Sequence, residues 1–464
     1  MVPIGNLSVI KSENLPERNS SPSVALNIAN REPEEKRPGG EIRVVIVAES
    51  ASTKLGGEAF EPLHYFRVLR SRNIEAHLVV HSRTQAELQA MFPEDCSKMH
   101  FVCDTWLNQL LWRCEQRLPR RVGEVTMGLL SHLYTQSIQR RLIRQLVHSH
   151  QIDVVHQPIP VSPKYPSLMF GLGVPVIIGP LNGGMEFPPA FRSRQNYFEE
   201  LTIAVGRQVS NFCNRLLPGK LRAETLLVAN ERTKQSLPKG LRGTVIELVD
   251  NGVDLSVWQP VAPVPKEPNQ RVRFVYVGRL VDWKAVDLLL EAFQPVAAQT
   301  NAILEIIGDG KLRQELEALS QRLGLTDRVV FTGWLSQAEC ALKLQQADGM
   351  VLPSLLECGG AVVLEAMAMG LPVIATNWGG PADYLDSTCG FLIDPTSKEA
   401  FVNGLTDAMI KLSLSPELRL SMGRAGLERV QKYFDWDRKV DRILEIYQET
   451  CAEKPTQCIG SGRG

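Results

Sequence analysis

The chain has 464 residues, 44% hydrophobic and 22% charged, with 51 basic and 51 acidic side chains. That length suits two or three globular domains, with cores large enough to need no disulfide or metal staple. Residues 1–260 carry 30 Lys and Arg against 25 Asp and Glu, and residues 261–464 carry 21 against 26. An imbalance of about +5 and about −5 is far too weak to argue nucleic-acid binding.

The first 40 residues are polar and rich in Pro, Ser, Asn and Glu, with no basic segment followed by an apolar core. They read as a disordered leader, 1–40, rather than a signal peptide. Nine cysteines, none in a CxxC pair, read as free thiols in a reducing compartment. The uncharged run from Tyr165 to Met185 contains three prolines and five glycines, so it cannot be one membrane helix.

The first strand is the apolar run Ile42 to Ser50, as expected for a parallel strand covered on both faces. A loop, ASTKLGGEAF, and a helix, EPLHYFRVLRSRN, follow it. Further strands are EAHLVVH, DVVHQP, VPVIIGP and TLLVA, with helical patterns such as LYTQSIQRRLIRQLVHSH between most of them. This alternation predicts a doubly wound α/β domain over 41–257. The Pro-rich stretch 258–270 reads as a linker. The alternation then restarts with VRFVYVGRL, AILEIIGDG, RVVFTGW, GMVLPS and PVIAT, giving a second such domain over 271–435. A closing helix, 436–452, is expected to pack back on the first domain, and 453–464 reads as a flexible tail. Ligands of such sheets bind beyond the carboxyl ends of the strands, so the loops there carry the chemistry.

Arg279 and Lys284 follow the strand FVYVG, on the loop before the next helix. A guanidinium fork, an ammonium and free helix N–H groups together suit a diphosphate, although two ordinary solvated cations read the same way. Gly56 and Gly57 let the backbone approach a ligand, or form a plain turn. His156 ends the strand DVVHQP; it is either a cleft imidazole or a hydrogen-bonded core residue. All eight histidines lie in the first 156 residues, and no metal-ligand spacing occurs.

In ECGGAVVLEAMAMGLPVIAT, seven residues separate Glu357 from Glu365. A helix beginning near Gly360 puts Glu357 just before its start and Glu365 in its second turn. Both can then face the cleft, where a carboxylate matches a vicinal diol. Glu365 sits in an otherwise apolar segment, and a buried carboxylate needs a partner.

From VDNGVDLSVW through VGRLVDWK, IIGDG and VVFTGW to LPSLLECGGAVVLEAMAMGLPVIATNWGG, and on to FDWDRKVDRILEIYQE, the second half resembles the retaining glycosyltransferases of family 4. The first half is similar only at KLGGEAF and DVVHQP. The resemblance implies the GT-B fold, two Rossmann-like doubly wound parallel-sheet domains facing across a cleft. It also implies a retaining transfer from a UDP-, GDP- or ADP-sugar to an acceptor hydroxyl of a glycan or lipid-linked glycan, without cofactor or metal. It assigns Glu357 to the donor sugar, with the amides of Cys358, Gly359 and Gly360, and Glu365 to the ribose. It assigns Arg279 and Lys284 to the diphosphate, Gly56 and Gly57 to its vicinity, and His156 to the neighbourhood of the reacting sugar. The family often reads E-G-F-G where this chain reads ECGG, so the donor sugar is not implied. Asn182 and Gly183, in GPLNGGM, read as acceptor or sugar contacts, or as a Gly-rich turn. An epimerase or hydrolase of the same fold, or a non-catalytic nucleotide-sugar binder, are the alternative functions.

Seven arginines (113, 117, 120, 121, 140, 141 and 144) lie between Trp112 and Gln145, opposed by Glu115 and Glu124. With Leu107, Leu110, Leu111 and Trp112 ahead of them, they read either as a solvated helix face or as a weak peripheral contact with an anionic membrane. The expected location is cytoplasmic, at or near the cytoplasmic membrane face.

Overall fold

The computed structural model describes residues 42–55, 57–117, 123–194, 212–260 and 271–452. The expected leader, the tail, Gly56, Arg120, Arg121 and linker residues 261–270 lie outside the described residues.

Two parallel sheets dominate the chain. The first contains β1 (Val44–Val47), β2 (Ala76–His81), β3 (Met99–Val102), β4 (Val154–Gln157), β5 (Val176–Leu181), β6 (Thr225–Val228) and β7 (Thr244–Glu247), in the spatial order β3-β2-β1-β4-β5-β6-β7. The second contains β8 (Arg273–Val277), β9 (Ile303–Ile307), β10 (Val329–Gly333), β11 (Gly349–Leu352), β12 (Val373–Thr376) and β13 (Gly390–Ile393), in the order β10-β9-β8-β11-β12-β13. Both orders reverse direction next to the first strand of the domain, β1 or β8. A crevice opens at such a switch point, at the carboxyl ends of the strands.

The helices follow the sequence pattern. In the first domain they are α1 (Gly57–Ser71), α2 (Gln85–Met91), α3 (Trp106–Glu115), α4 (Leu129–Ser149), α5 (Gly219–Arg222) and α6 (Glu231–Gln235). The second has α7 (Val286–Gln299), α8 (Arg313–Arg322), α9 (Gln337–Gln345), α10 (Ala361–Ala368), α11 (Gly380–Tyr384), α12 (Lys398–Leu414) and α13 (Pro416–Tyr433), and α14 (Trp436–Ala452) closes the chain. Central strands such as β1, β11 and β12 are buried on both faces, which is why they read as almost unbroken apolar runs.

Two details place the domains. Val440, Ile443, Ile446 and Tyr447 of α14 share one apolar core with Val44, Ile46, Leu63 and Phe66 of the first domain. Trp258, read as the start of a linker, is instead 2% exposed and belongs to the core of the second domain, alongside Phe274 and Phe293. The correction has a simple cause: its indole lies where the chain has already entered the second domain, before the proline-rich stretch.

Candidate active site

The loop after β11 carries the two glutamates. Gly360 is the N-cap of α10 at φ +85°, a left-handed conformation that turns the loop sharply into the helix. Glu357 precedes that turn, and its carboxylate forms an ion pair with the Lys284 ammonium. Lys284 comes from the short turn Asp282–Lys284 after β8, so two loops from adjacent strands meet there. Both side chains are largely buried, at 13% and 15% exposure, which strengthens the attraction by removing water. Among the described residues, no acceptor takes the backbone N–H groups of Cys358, Gly359 or Gly360. An ion pair and three amides without acceptors among the described residues therefore lie just before a helix start, where partial positive charge collects.

Arg279 is exposed, with its guanidinium 5.7 Å from the Trp283 ring and no carboxylate partner among the described residues. Glu365, one turn into α10, is half-buried by area. Burial pushes its carboxyl up to about 7. No donor among the described residues supplies the partner that a buried carboxylate needs.

The first domain reaches this loop directly. Asn182, just past β5, donates its side-chain amide to Asp250 Oδ2 at 2.7 Å and to the Cys358 carbonyl at 3.0 Å. Its own Oδ1 is buried without a partner. Trp378 donates to the Glu186 carbonyl at 2.8 Å, and Asn230 to Asp383 at 2.8 Å. Gly380 donates to the Glu357 carbonyl at 2.9 Å, and a Cβ on Gly380 would stand 2.0 Å from the Gly359 carbonyl oxygen. The donor-side loop is thus clamped between α11 and the first domain, and only glycine fits the close approach.

Two expected contacts fall elsewhere. His156 lies inside β4 and is fully buried; its Nε2 lies 2.6 Å from the Gly179 carbonyl and its Nδ1 2.7 Å from the Tyr447 hydroxyl. Tyr65 of α1 packs edge-on against it. The reading of His156 as a catalytic imidazole is corrected: both ring nitrogens are used, and burial lowers its pKa to about 4, so it is a neutral core residue. Gly183 is also committed, its N–H donating to Thr233 Oγ1 at 3.1 Å and its carbonyl accepting from Arg232 and Thr233. It shapes the loop and does not face a ligand. Gly57 begins α1 with open space where a Cβ would stand, and Gly56 beside it is outside the described residues.

Sequence reasoning missed Asp250, Asn251 and Tyr384. Asn251 donates to the Tyr384 hydroxyl at 2.8 Å, and a Cβ on Gly359 would stand 2.2 Å from the Asn251 amide nitrogen. The run VDNGVDLSVW and the segment GGPADY hold these residues, but nothing within either run points to the other.

Residues 262–429 match the family model described as Glycosyl transferases group 1. A D-inositol 3-phosphate glycosyltransferase of Segniliparus rotundus is 32% identical over 217 residues, 44% of this chain and 46% of the relative. A GDP-mannose-dependent alpha-(1-6)-phosphatidylinositol monomannoside mannosyltransferase of Mycobacterium tuberculosis is 31% identical over 216 residues, 43% of this chain and 55% of that protein. The chain thus spans about half the length of the curated relatives it matches. Solved structures extend the likeness to both domains: a Rickettsia africae glycosyltransferase aligns at TM-score 0.60 with 14% identity, covering 89% of this chain and all of the other. Anabaena HepE in complex with UDP-glucose aligns at TM-score 0.56 with 15% identity, covering 88% and 100%. At those identities the likeness shows the fold, which is of the GT-B type, two parallel-sheet domains with helices on both faces.

Proposed function

We propose that the protein is a retaining glycosyltransferase that moves a sugar from a nucleotide-diphosphate sugar to an acceptor hydroxyl. The observation that carries this reading is the convergence of Lys284, Glu357 and the free amides of Cys358, Gly359 and Gly360 at one helix start. A sugar diphosphate presents hydroxyls and anionic oxygens side by side, and this point offers a carboxylate and cationic groups side by side. Arg279, with no carboxylate partner among the described residues, adds a second cation for the diphosphate. Glu365 supplies the acceptor oxygens for ribose hydroxyls. The expected domain split places the donor on the second domain, 271–435, and the acceptor on the first, 41–257.

In the transfer, the acceptor oxygen bonds to the anomeric carbon as the bond from that carbon to the diphosphate oxygen breaks. The acceptor hydroxyl proton leaves with the diphosphate. Charge develops on the departing oxygen, where Arg279 and Lys284 stabilise it. The Asn182 contact to the Cys358 carbonyl fixes the donor loop against the first domain, so that acceptor and donor meet in one geometry. The relatives' names mention GDP-mannose, and one structural neighbour holds UDP-glucose; both support a nucleotide-sugar donor here.

The acceptor is a glycan or a lipid-linked glycan, met at the cytoplasmic membrane face. Trp106, Leu110 and Trp112 of α3 are 73%, 46% and 60% exposed, beside the exposed Arg113 and Arg117. Exposed indoles with adjacent guanidiniums suit the interface of an anionic bilayer. No helix among the described residues is long and apolar enough to cross a membrane. Co-sedimentation with anionic vesicles at low salt, absent with neutral ones, supports this contact; equal recovery in both supernatants refutes it.

The transfer itself is tested by incubating the protein with UDP-glucose, GDP-mannose or ADP-glucose and a panel of glycans, then analysing the products by mass spectrometry and NMR. A glycoside with the donor's anomeric configuration is expected. Conversion of the donor to an isomeric nucleotide sugar refutes the reading.

A further inference from the structure

The carboxyl edge of the first sheet holds a second acid, which the donor chemistry does not use. Glu49 lies two residues past β1, on the edge where Asn182, past β5, touches the donor loop. Its Oε2 lies 2.6 Å from Nδ1 of His132 on α4. The other ring nitrogen of His132 lies 2.6 Å from the Gln136 side-chain nitrogen. The orientation of Gln136 is fixed, because its oxygen accepts the Leu168 amide at 2.8 Å and its nitrogen donates to the Pro166 carbonyl at 3.4 Å. A donor therefore faces His132 Nε2, which must accept. His132 Nδ1 therefore carries a proton and donates it to Glu49.

The chain of contacts holds the carboxylate from one side only. Glu49 Oε2 is engaged, while Oε1 has no hydrogen-bond partner among the described residues. The side chain is 37% exposed, whereas His132 behind it is 8% exposed. A fixed carboxylate with one open oxygen, on the ligand-binding edge of the acceptor-side domain, matches one chemical group well: a hydroxyl donor.

We infer that Glu49 binds the acceptor, taking a hydrogen bond from a hydroxyl of a polyhydroxylated ring on its open oxygen, while His132 and Gln136 position it. This rests on the transferase reading above. Burial, the largest single influence, raises the Glu49 pKa, but the His132 hydrogen bond together with the nearby His132, Arg83 and His81 outweighs it and holds the carboxyl down at about 2. So weak a base is suited to orienting a hydroxyl and unsuited to removing its proton. Glu49 therefore sets which hydroxyl is presented, and the proton still departs with the diphosphate.

Glu49→Gln is the discriminating variant. Its amide oxygen can still accept from His132, so the contact that braces α4 survives, but the outward acceptor becomes a donor. The probes are methyl α-D-glucoside, methyl α-D-mannoside, methyl α-D-galactoside and myo-inositol, each followed by saturation-transfer NMR with UDP or GDP present. Binding of at least one probe to the wild type is expected. Glu49→Gln is expected to weaken that probe at least about tenfold, with melting temperature and nucleotide affinity unchanged. Equal probe affinity in both proteins, or no probe bound by the wild type, overturns the assignment. If the wild type binds neither UDP nor GDP, the donor reading fails, and the probe comparison still decides Glu49.

Discussion

Glu365 gives the sharpest quantitative expectation, because its carboxyl stands near neutrality, raised to about 7 by burial with no donor beside it among the described residues. If ribose hydroxyls bind its charged form, nucleotide affinity follows the ionised fraction. That fraction is roughly a tenth at pH about 6 and roughly nine tenths at pH about 8, so affinity should rise about tenfold across the interval, or about 1.4 kcal/mol. The sign follows from the raised pKa: the free protein holds a proton that the complex sheds, so binding strengthens as pH rises and levels off above about 7. Calorimetry with UDP or GDP, in buffers of different ionisation heat, should show about half a proton released per nucleotide at pH about 7. Glu365→Gln cannot titrate, so it should bind with a flatter pH profile and lose this release. The ligand phosphate titrates equally against both proteins and cancels in the comparison. An identical pH slope and proton count in wild type and Glu365→Gln would refute the assignment of Glu365 to the ribose.

The remaining expectations follow from the same geometry. Glu357→Gln removes the ion pair with Lys284 and the sugar carboxylate, so turnover should fall by about two orders of magnitude or more; nucleotide affinity, measured by calorimetry, should change by less than about threefold. A large loss of nucleotide affinity would assign Glu357 to the diphosphate side instead. His156 has its pKa lowered to about 4 by burial, so the unfolded chain binds a proton that the fold rejects. Stability should therefore drop by up to about 3 kcal/mol as pH falls from about 6.5 to about 4, and His156→Gln should flatten that decline in chemical denaturation. Unchanged pH dependence in the variant contradicts the buried, neutral histidine.

The strands legible in the sequence are mostly the central ones. β1, β5, β11 and β12 are covered on both faces, so nearly every residue is apolar. The first-domain edges β3 and β7 and the second-domain edge β13 went unread, and all three are partly exposed. An edge strand buries too little to leave a clear apolar signature. At the site, the loops of Lys284 and Glu357 follow adjacent strands, so the resemblance could group these residues and the ion pair between them is observed. His156 misled because a residue at the end of a written strand can lie inside the folded one, between α1 and α14. The Glu49–His132 and Asn182–Asp250 contacts join residues 83 and 68 positions apart, and no local pattern encodes such pairings. The need of Glu365 for a partner was readable; that none would stand beside it among the described residues was not.

The central claim is that Arg279 and Lys284 hold the diphosphate of a nucleotide donor. Calorimetric titration of UDP, GDP and ADP into the wild type and the Arg279→Ala/Lys284→Ala double variant tests it most directly. Two charge-assisted contacts of about 1.5–3 kcal/mol each should vanish together. The wild type should bind at least one of the three nucleotides, and the double variant, with an unchanged circular-dichroism spectrum, should bind it at least about a hundredfold more weakly. Equal affinity in the two proteins would contradict the account.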